Sequence, residues 1–216
     1  MRNNPDCSLY LVTDRSFLKG RSLEEVTAQA VAGGCTMVQL REKSLSSGDF
    51  FQLAQALKKQ LQPLGVPLII DDRADIMLAA GADGVHVGQS DIPAAAVRAM
   101  IGPDRILGVS AHTLEEALQA ERDGADYLGV GAMFPTATKP DASVTSMEEL
   151  KKITGHVHIP AVVIGGINRK TLPGFAGAGI SGAAVVSDIM GDDDPRQAAA
   201  ELKQEIRKIL SFPAGK

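Results

Sequence analysis

Eight short apolar runs, with stretches of helical pattern between them, constrain this chain more than any other feature of its sequence. They occupy residues 8–13, 37–40, 67–70, 84–87, 106–109, 127–130, 161–164 and 183–186. The runs are continuously apolar rather than alternating, the pattern of parallel strands covered on both faces. Helical stretches fall between them at 22–32, 47–62, 114–122, 145–153 and 195–210. Ser22 stands three residues before Glu25, the spacing of a capping box. Pro195 suits a first helical turn, and Asp192 to Asp194 ahead of it favour the helix dipole. This rhythm in 216 residues predicts an α/β fold, a (β/α)8 TIM barrel with a closed parallel sheet, as a single domain over 1–216. A doubly wound open sheet is the alternative, because periodicity does not reveal closure.

A Gly-Ala-Asp motif or a relative of it precedes three of the runs, at 81–83, 124–126 and 177–180. Each of Gly81, Gly124 and Gly177 falls where a helix ends and a left-handed residue turns the chain back towards the barrel. These glycines read as structural.

Composition narrows the function. The formal charge of −4 argues against a nucleic-acid or anionic-membrane surface, so a phosphate site must be a local basic pocket. The chain has no Trp, which disfavours base stacking. Cys7 and Cys35 lack metal-type or CxxC spacing and read as reduced, buried thiols of a cytoplasmic protein. No signal peptide or membrane span is expected, since 9–12 is too short a hydrophobic segment for either.

In a barrel of this kind, chemistry sits on the loops that follow the strands. Gln39, Arg41 and Lys43 follow the second run, Asp71, Asp72 and Arg73 the third, and Gln89 to Asp91 the fourth. Ser110 and His112 follow the fifth, Thr136, Thr138 and Lys139 the sixth, Gly165 and Gly166 the seventh, and Ser187 the eighth. Each alone has an ordinary reading: Asp91 as a helix cap, Asp72 with Arg73 as a surface pair, the glycines as a turn, and the cations as solvated. Together they fit a pattern. The glycines and Ser187 occupy the usual phosphate cradle of a barrel. Asp72 and Asp91, on adjacent strand ends, suit a hard divalent cation, and Mg2+ prefers one or two carboxylates plus substrate phosphate oxygens. Arg41, Lys43 and Lys139 add positive charge for a second, larger anion. Two phosphorylated small-molecule ligands meeting in one barrel is the implied arrangement.

The four histidines form no zinc motif. His86 alternates with valines in a strand and reads as interior, His156 and His158 as exposed, and His112 as an outside candidate for proton transfer. No Ser–His–Asp or Cys–His arrangement stands out.

The motifs QLREK at 39–43, DDRAD at 71–75, ADGVHVGQSD at 82–91, GVS at 108–110, FPTATK at 134–139, IGGI at 164–167 and VVS at 185–187 resemble those of thiamine-phosphate synthases in order and spacing. The likeness runs from YLVTD at 10–14 to the Ser187 loop. It implies a (β/α)8 transferase that joins a hydroxymethylpyrimidine diphosphate to a thiazole phosphate, the latter with or without a carboxylate, and releases pyrophosphate. It further implies that Gln39, Leu40, Arg41, Glu42, Lys43, Asp71, Ser110 and Lys139 bind the pyrimidine diphosphate. Lys139 and Ser110 would take the catalytic roles. Thr136, Ala137, Thr138, Gly166, Val186 and Ser187 would hold the thiazole phosphate, and Asp72 and Asp91 magnesium. One position departs: the family usually has Asn where this chain has Asp71. An amide can donate to a phosphate oxygen and an ionised carboxylate cannot. Asp71 is therefore expected to be protonated, turned away, or a second metal ligand.

Three rivals remain at this stage. They are a related thiazole tautomerase on the same barrel, a non-catalytic sensor of thiamine precursors, and another phosphate-handling barrel such as a sugar-phosphate isomerase. The Asp72/Asp91 pair and the 136–139 loop count against the first, the 136–139 loop against the third, and the lack of an effector segment against the second. Homo-oligomerisation is left open. The segments 41–47 and 134–143 are polar and irregular, as substrate-covering lids are.

Overall fold

The computed structural model describes residues 5–136 and 143–211, so Ala137, Thr138 and Lys139 lie outside the described residues. Strands β1 (Leu9–Val12), β2 (Met37–Leu40), β3 (Leu68–Asp71), β4 (Gly84–Val87), β5 (Ile106–Ala111), β6 (Tyr127–Val130), β7 (Ala161–Val163) and β8 (Gly182–Val185) pair in parallel with their sequence neighbours. β8 returns to pair with β1, so the sheet closes and the open-sheet alternative falls. The helices are α1 (Leu23–Ala32), α2 (Ser47–Leu61), α3 (Ala74–Ala80), α4 (Ala94–Ile101), α5 (Leu114–Arg122), α6 (Met147–His156), α7 (Ser187–Met190) and α8 (Pro195–Ser211). Between β7 and β8 the connection carries only a 3-10 turn, Leu172–Phe175. No helix among the described residues is long and apolar enough to cross a membrane.

Four of the helices start where the sequence provides oxygen caps. Ser22, Ser46, Thr113 and Ser146 each accept from the backbone N–H three residues on, at Glu25, Asp49, Glu116 and Glu149. Each such cap stabilises its helix by about 1 kcal/mol. Gly81, Gly124 and Gly177 all have positive φ, as the turn back into a strand requires.

Strand periodicity sorts the side chains into two layers. Leu9, Leu11, Val38, Leu40, Leu68 and Ile70 point outward into the large core beneath the helices. Tyr10, Val12, Met37, Ile69, Tyr127, Val162 and Ala184 fill the barrel interior.

The aspartates of the Gly-Ala-Asp motifs, to which the sequence reading gave no role, sew the strand entrances together. Asp83 accepts from the Leu68 N–H at 2.8 Å and pairs with Lys58 at 2.6 Å. Asp126 does the same for Leu107 at 2.8 Å and Arg98 at 2.6 Å. The seam where the chain's two ends meet is equally tight. A Cβ on Gly182 would overlap the Cys7 carbonyl, and one on Gly33, just after α1, would overlap the Arg196 carbonyl of α8.

Candidate active site

The loops after β2, β3 and β4 gather charge at one side of the barrel mouth. The Arg41 N–H donates to Thr13 Oγ1 at 3.0 Å, and its guanidinium lies between Asp14 at 3.8 Å and Asp71 at 3.7 Å. Lys43 Nζ reaches Asp71 Oδ2 at 3.0 Å and also hydrogen-bonds Asp72. Asp72 holds a left-handed backbone with φ of 59°, unusual for a residue with a side chain. Its N–H donates to the His86 carbonyl of β4 at 2.8 Å, which locks that conformation and aims the carboxylate across the loop. Asp91 closes its own turn by accepting from the Gly88 N–H at 2.7 Å.

Electrostatics couples these groups. Burial pushes the Asp71 carboxyl up to about 6, and the Asp72 charge adds to the rise while Lys43 and Arg41 oppose it. Desolvation works against the Lys43 ammonium, yet the carboxylates of Asp71 and Asp72 outweigh it and hold Lys43 above its ordinary value. Asp91 is also raised, first by desolvation and then by the negative charge and hydrogen bonding of Asp72, so these two carboxylates face one another.

The donor set fits a hard dication. When ionised, the three carboxylates outnumber the two cations that contact them, which leaves this side of the mouth repulsive to a diphosphate. A divalent ion held by Asp72 and Asp91 would reverse that sign. No cluster of three or more His, Cys, Asp or Glu suited to a metal occurs among the described residues. Two carboxylates with open positions for phosphate oxygens suit magnesium rather than zinc or calcium.

The QLREK run splits by strand alternation. Gln39, Arg41 and Lys43 share the inner side, whereas the Leu40 side chain is buried in the outer core. The Glu42 carboxylate is 5% exposed and lies 3.9 Å from Arg15. Its Oε1 has no hydrogen bond, and burial raises its pKa. Leu40 and Glu42 can therefore meet a ligand at this side of the mouth only through their backbone.

The opposite side is built from the loops after β6, β7 and β8. The Met133 and Phe134 N–H groups donate to the Ile164 and Gly165 carbonyls at 2.9 and 3.1 Å. Gly165 and Gly166 have positive φ, and a Cβ on Gly166 would stand 2.7 Å from the Phe134 Cβ. Only glycine admits that approach. The Arg169 N–H donates to Asp188 of α7 at 2.9 Å, tying the β7 loop to the segment that carries Val186 and Ser187. Ser187 opens α7, where the leading amides have no acceptor within the helix. Thr136 ends the described part of the β6 loop; Ala137, Thr138 and Lys139 beyond it are not described.

Between the two sides, a chain of polar groups crosses the barrel interior. Gln39 Nε2 donates to the Tyr10 hydroxyl at 2.9 Å, and Tyr10 and Tyr127 share a bond of 2.8 Å. Tyr127 meets His86 Nδ1 at 3.0 Å, and His86 Nε2 meets Ser110 Oγ at 3.0 Å. Gly108 and Gly129 leave room for it: a Cβ on Gly108 would overlap the Tyr127 hydroxyl and His86 Nδ1, and one on Gly129 would stand 3.0 Å from His86 Cε1. The interior placement of His86 follows the sequence pattern. Tyr10 and Tyr127 were missed, because their meeting depends on strand register across the barrel. The polar tips of two tyrosines within apolar runs were the available signal.

The remaining histidines take no part. His112 is occupied by Glu116, at 3.1 Å through Nδ1, and His156 and His158 are exposed. Cys7 and Cys35 are buried and unpaired with each other.

Comparison with known proteins shows the family and the fold. Residues 9–189 match the family model described as thiamine monophosphate synthase. The thiamine-phosphate synthase of Clostridium beijerinckii is 56% identical over 209 residues, covering 97% of this chain and 100% of that protein. The protein of the same name from Clostridium tetani is 54% identical, covering 92% and 95% of the two chains. Among solved structures, thiamine phosphate pyrophosphorylase from Pyrococcus furiosus superposes with a TM-score of 0.88 at 38% identity, covering 96% and 98%. A 3-hexulose-6-phosphate synthase, with a TM-score of 0.68 at 22% identity, shares the fold.

Proposed function

The chain belongs to the thiamine monophosphate synthase family, and we propose that it condenses a hydroxymethylpyrimidine diphosphate with a thiazole phosphate to give thiamine phosphate and pyrophosphate. The observation that carries this reading is the pairing of Asp72 and Asp91 beside Lys43 and Arg41, opposite the glycine cradle of the β7 loop. Relatives above half identity over nearly the whole chain support it, and they weigh against the tautomerase, sensor and isomerase readings.

In this reading Gln39, Arg41, Lys43, Asp71, Ser110 and Lys139 receive the pyrimidine diphosphate, with Leu40 and Glu42 contributing backbone. Thr136, Ala137, Thr138, Gly166, Val186 and Ser187 receive the thiazole phosphate. Asp72 and Asp91 hold Mg2+, which supplies charge neutralisation at the departing diphosphate. Arg41, Lys43 and Lys139 stabilise the negative charge that gathers as the methylene carbon–oxygen bond breaks, an electrostatic role. The aminopyrimidine ring carries the positive charge left on its methylene carbon. The thiazole nitrogen, held close by the cradle, forms the new carbon–nitrogen bond, so the protein contributes chiefly positioning. No protein nucleophile is required. The enzyme acts in the cytoplasm on small, diffusible substrates.

Asp71 is the distinctive position. While its carboxylate is charged it competes with the diphosphate for Lys43 and Arg41, so the protonated form is the better partner for an incoming anion.

A coupling assay with both substrates and magnesium, following thiamine phosphate and pyrophosphate together, tests the reading. Equimolar products that vanish with a chelator are expected. Ligand binding by the folded protein with no product would overturn it.

A further inference from the structure

The polar chain through the barrel interior has a direction, and that direction bears on how the substrate is received. The inference rests on the synthase reading. Gln39 and Ser110, at its two ends, are both assigned to the pyrimidine diphosphate. The three groups between them, Tyr10, Tyr127 and His86, have no assigned role in the reaction. They lie behind the mouth, and both tyrosines are fully enclosed in the interior layer.

We propose that Tyr127, acting with Tyr10 and His86, is a positioning residue that fixes which way the Ser110 hydroxyl and the Gln39 amide present their hydrogens to the pyrimidine diphosphate. The direction follows from donor counting. Gln39 Nε2 can only donate, so the Tyr10 oxygen accepts at that end. The Tyr10 hydrogen then goes to the Tyr127 oxygen, and the Tyr127 hydrogen to His86 Nδ1. An accepting Nδ1 makes Nε2 the protonated nitrogen, which donates to Ser110 Oγ. The Ser110 hydroxyl hydrogen is thereby released from the chain and available to an anionic ligand. Reversal needs the Gln39 amide turned over; Ser110 then donates inward to His86 and offers the anion only lone pairs. Both phenols are strongly disfavoured as anions by burial, so they keep the hydrogens that the relay needs.

The frame around the chain admits little alternative. Gln89 Nε2 donates to the Ser110 carbonyl at 2.7 Å and anchors that strand end from outside the barrel. Gly108 and Gly129 supply the space in which Tyr127 and His86 meet. Tyr127 is the middle link, and removing its oxygen separates the Gln39–Tyr10 half from the His86–Ser110 half.

The experiment is a kinetic double-mutant cycle between Tyr127→Phe and Ser110→Ala, with Michaelis constants for both substrates. Tyr127→Phe keeps the ring and deletes the linking oxygen. It is expected to raise the Michaelis constant for the pyrimidine diphosphate about tenfold, the scale of one net hydrogen bond. The constant for the thiazole phosphate should move less than about twofold. In the Ser110→Ala background the same change should cost about threefold or less, since the Ser110 end of the chain no longer matters. A tenfold effect in both backgrounds, equal effects on both substrates, or no effect in a folded variant would each overturn the proposal. Should Tyr127→Phe fail to fold, Tyr10→Phe takes its place, with a smaller shift in the same constant expected. Turnover by the unmodified enzyme is measured alongside. If that is absent, the synthase reading fails; if it is present with Tyr127→Phe unchanged, only the positioning role fails.

Discussion

Gly108→Ala adds one methyl group at the most crowded point of the barrel interior. Gly108 sits in register with His86 on one side and Tyr127 on the other. The new Cβ would overlap the Tyr127 ring carbon Cζ, its hydroxyl and His86 Nδ1 at once. None of these can yield freely, because each is buried and already bonded. Overpacking of this kind costs about 1–3 kcal/mol. Displacing Tyr127 and His86 also breaks or bends the three bonds they make, at about 1 kcal/mol each. The sum is about 5 kcal/mol, and at about 2–4 °C per kcal/mol for a chain of this size the melting temperature falls by roughly 10–20 °C. Gly155→Ala serves as the control. It lies near the end of α6, a Cβ there meets nothing within 4 Å, and its φ is not left-handed. That variant should gain about 0.5–1 kcal/mol, the helical preference of alanine over glycine. Thermal melts followed by circular dichroism, backed by urea titration, measure both. A Gly108→Ala protein melting within about 2 °C of the parent would show that the interior has slack, and the packing argument would be wrong.

Four further outcomes are expected. Asp126→Ala leaves the Leu107 N–H without its acceptor at a side chain 3% exposed and takes one partner from Arg98, which keeps its backbone carbonyls, so urea titration should show a loss of about 1–3 kcal/mol, with Asp83→Ala milder because its site is more open. Burial pushes the Cys7 and Cys35 thiols up to about 12, so a thiol reagent at pH 8 should label neither in the native protein and both after denaturation. Asp71 favours the proton in the folded state, rising from 3.8 to about 6, so it removes stability as pH climbs through that window. Without magnesium, Asp71→Asn should flatten that fall, worth about 3 kcal/mol at most, and with magnesium present it should lower the Michaelis constant for the pyrimidine diphosphate; identical pH–stability curves would refute the burial argument. Lys139→Ala should lower turnover at least about 100-fold with an unchanged melt, and near-normal turnover would remove Lys139 from the mechanism.

The barrel was legible because its β/α units write local signals: a short apolar run in each, and in several a capping hydroxyl or a left-handed glycine. Ser22 and Gly124 can be read with no knowledge of what they pack against. Some boundaries moved for reasons visible only in three dimensions. β8 begins at Gly182 rather than 183, where the absence of a side chain admits the Cys7 carbonyl. β5 continues to Ala111 because its partner β6 supplies pairing as far as Val130. Helices α3 and α4 are short and alanine-rich and start without a capping side chain, and neither was among the predicted stretches. At the site, Asp72, Asp91, Lys43 and Gly166 could be picked out because strand ends share one rim. The contact of Asp71 with Lys43, and the meeting of Tyr10 with Tyr127, could not. Both depend on which residues of different strands stand at the same height, and local sequence does not encode that.

The tight seam between the chain's two ends bears on how the molecule is made. During synthesis β1 emerges before the other seven strands, and its hydrogen-bonding partner β8 emerges only once residues 182–185 have been added. Until then β1 and β7 are bare sheet edges of the kind that recruit strands from other chains. The glycines at 33 and 182 let the late-arriving segments press backbone against backbone on the earliest ones. Completion of the sheet and protection of the nascent chain from aggregation are therefore one event, set by the arrival of β8 and α8.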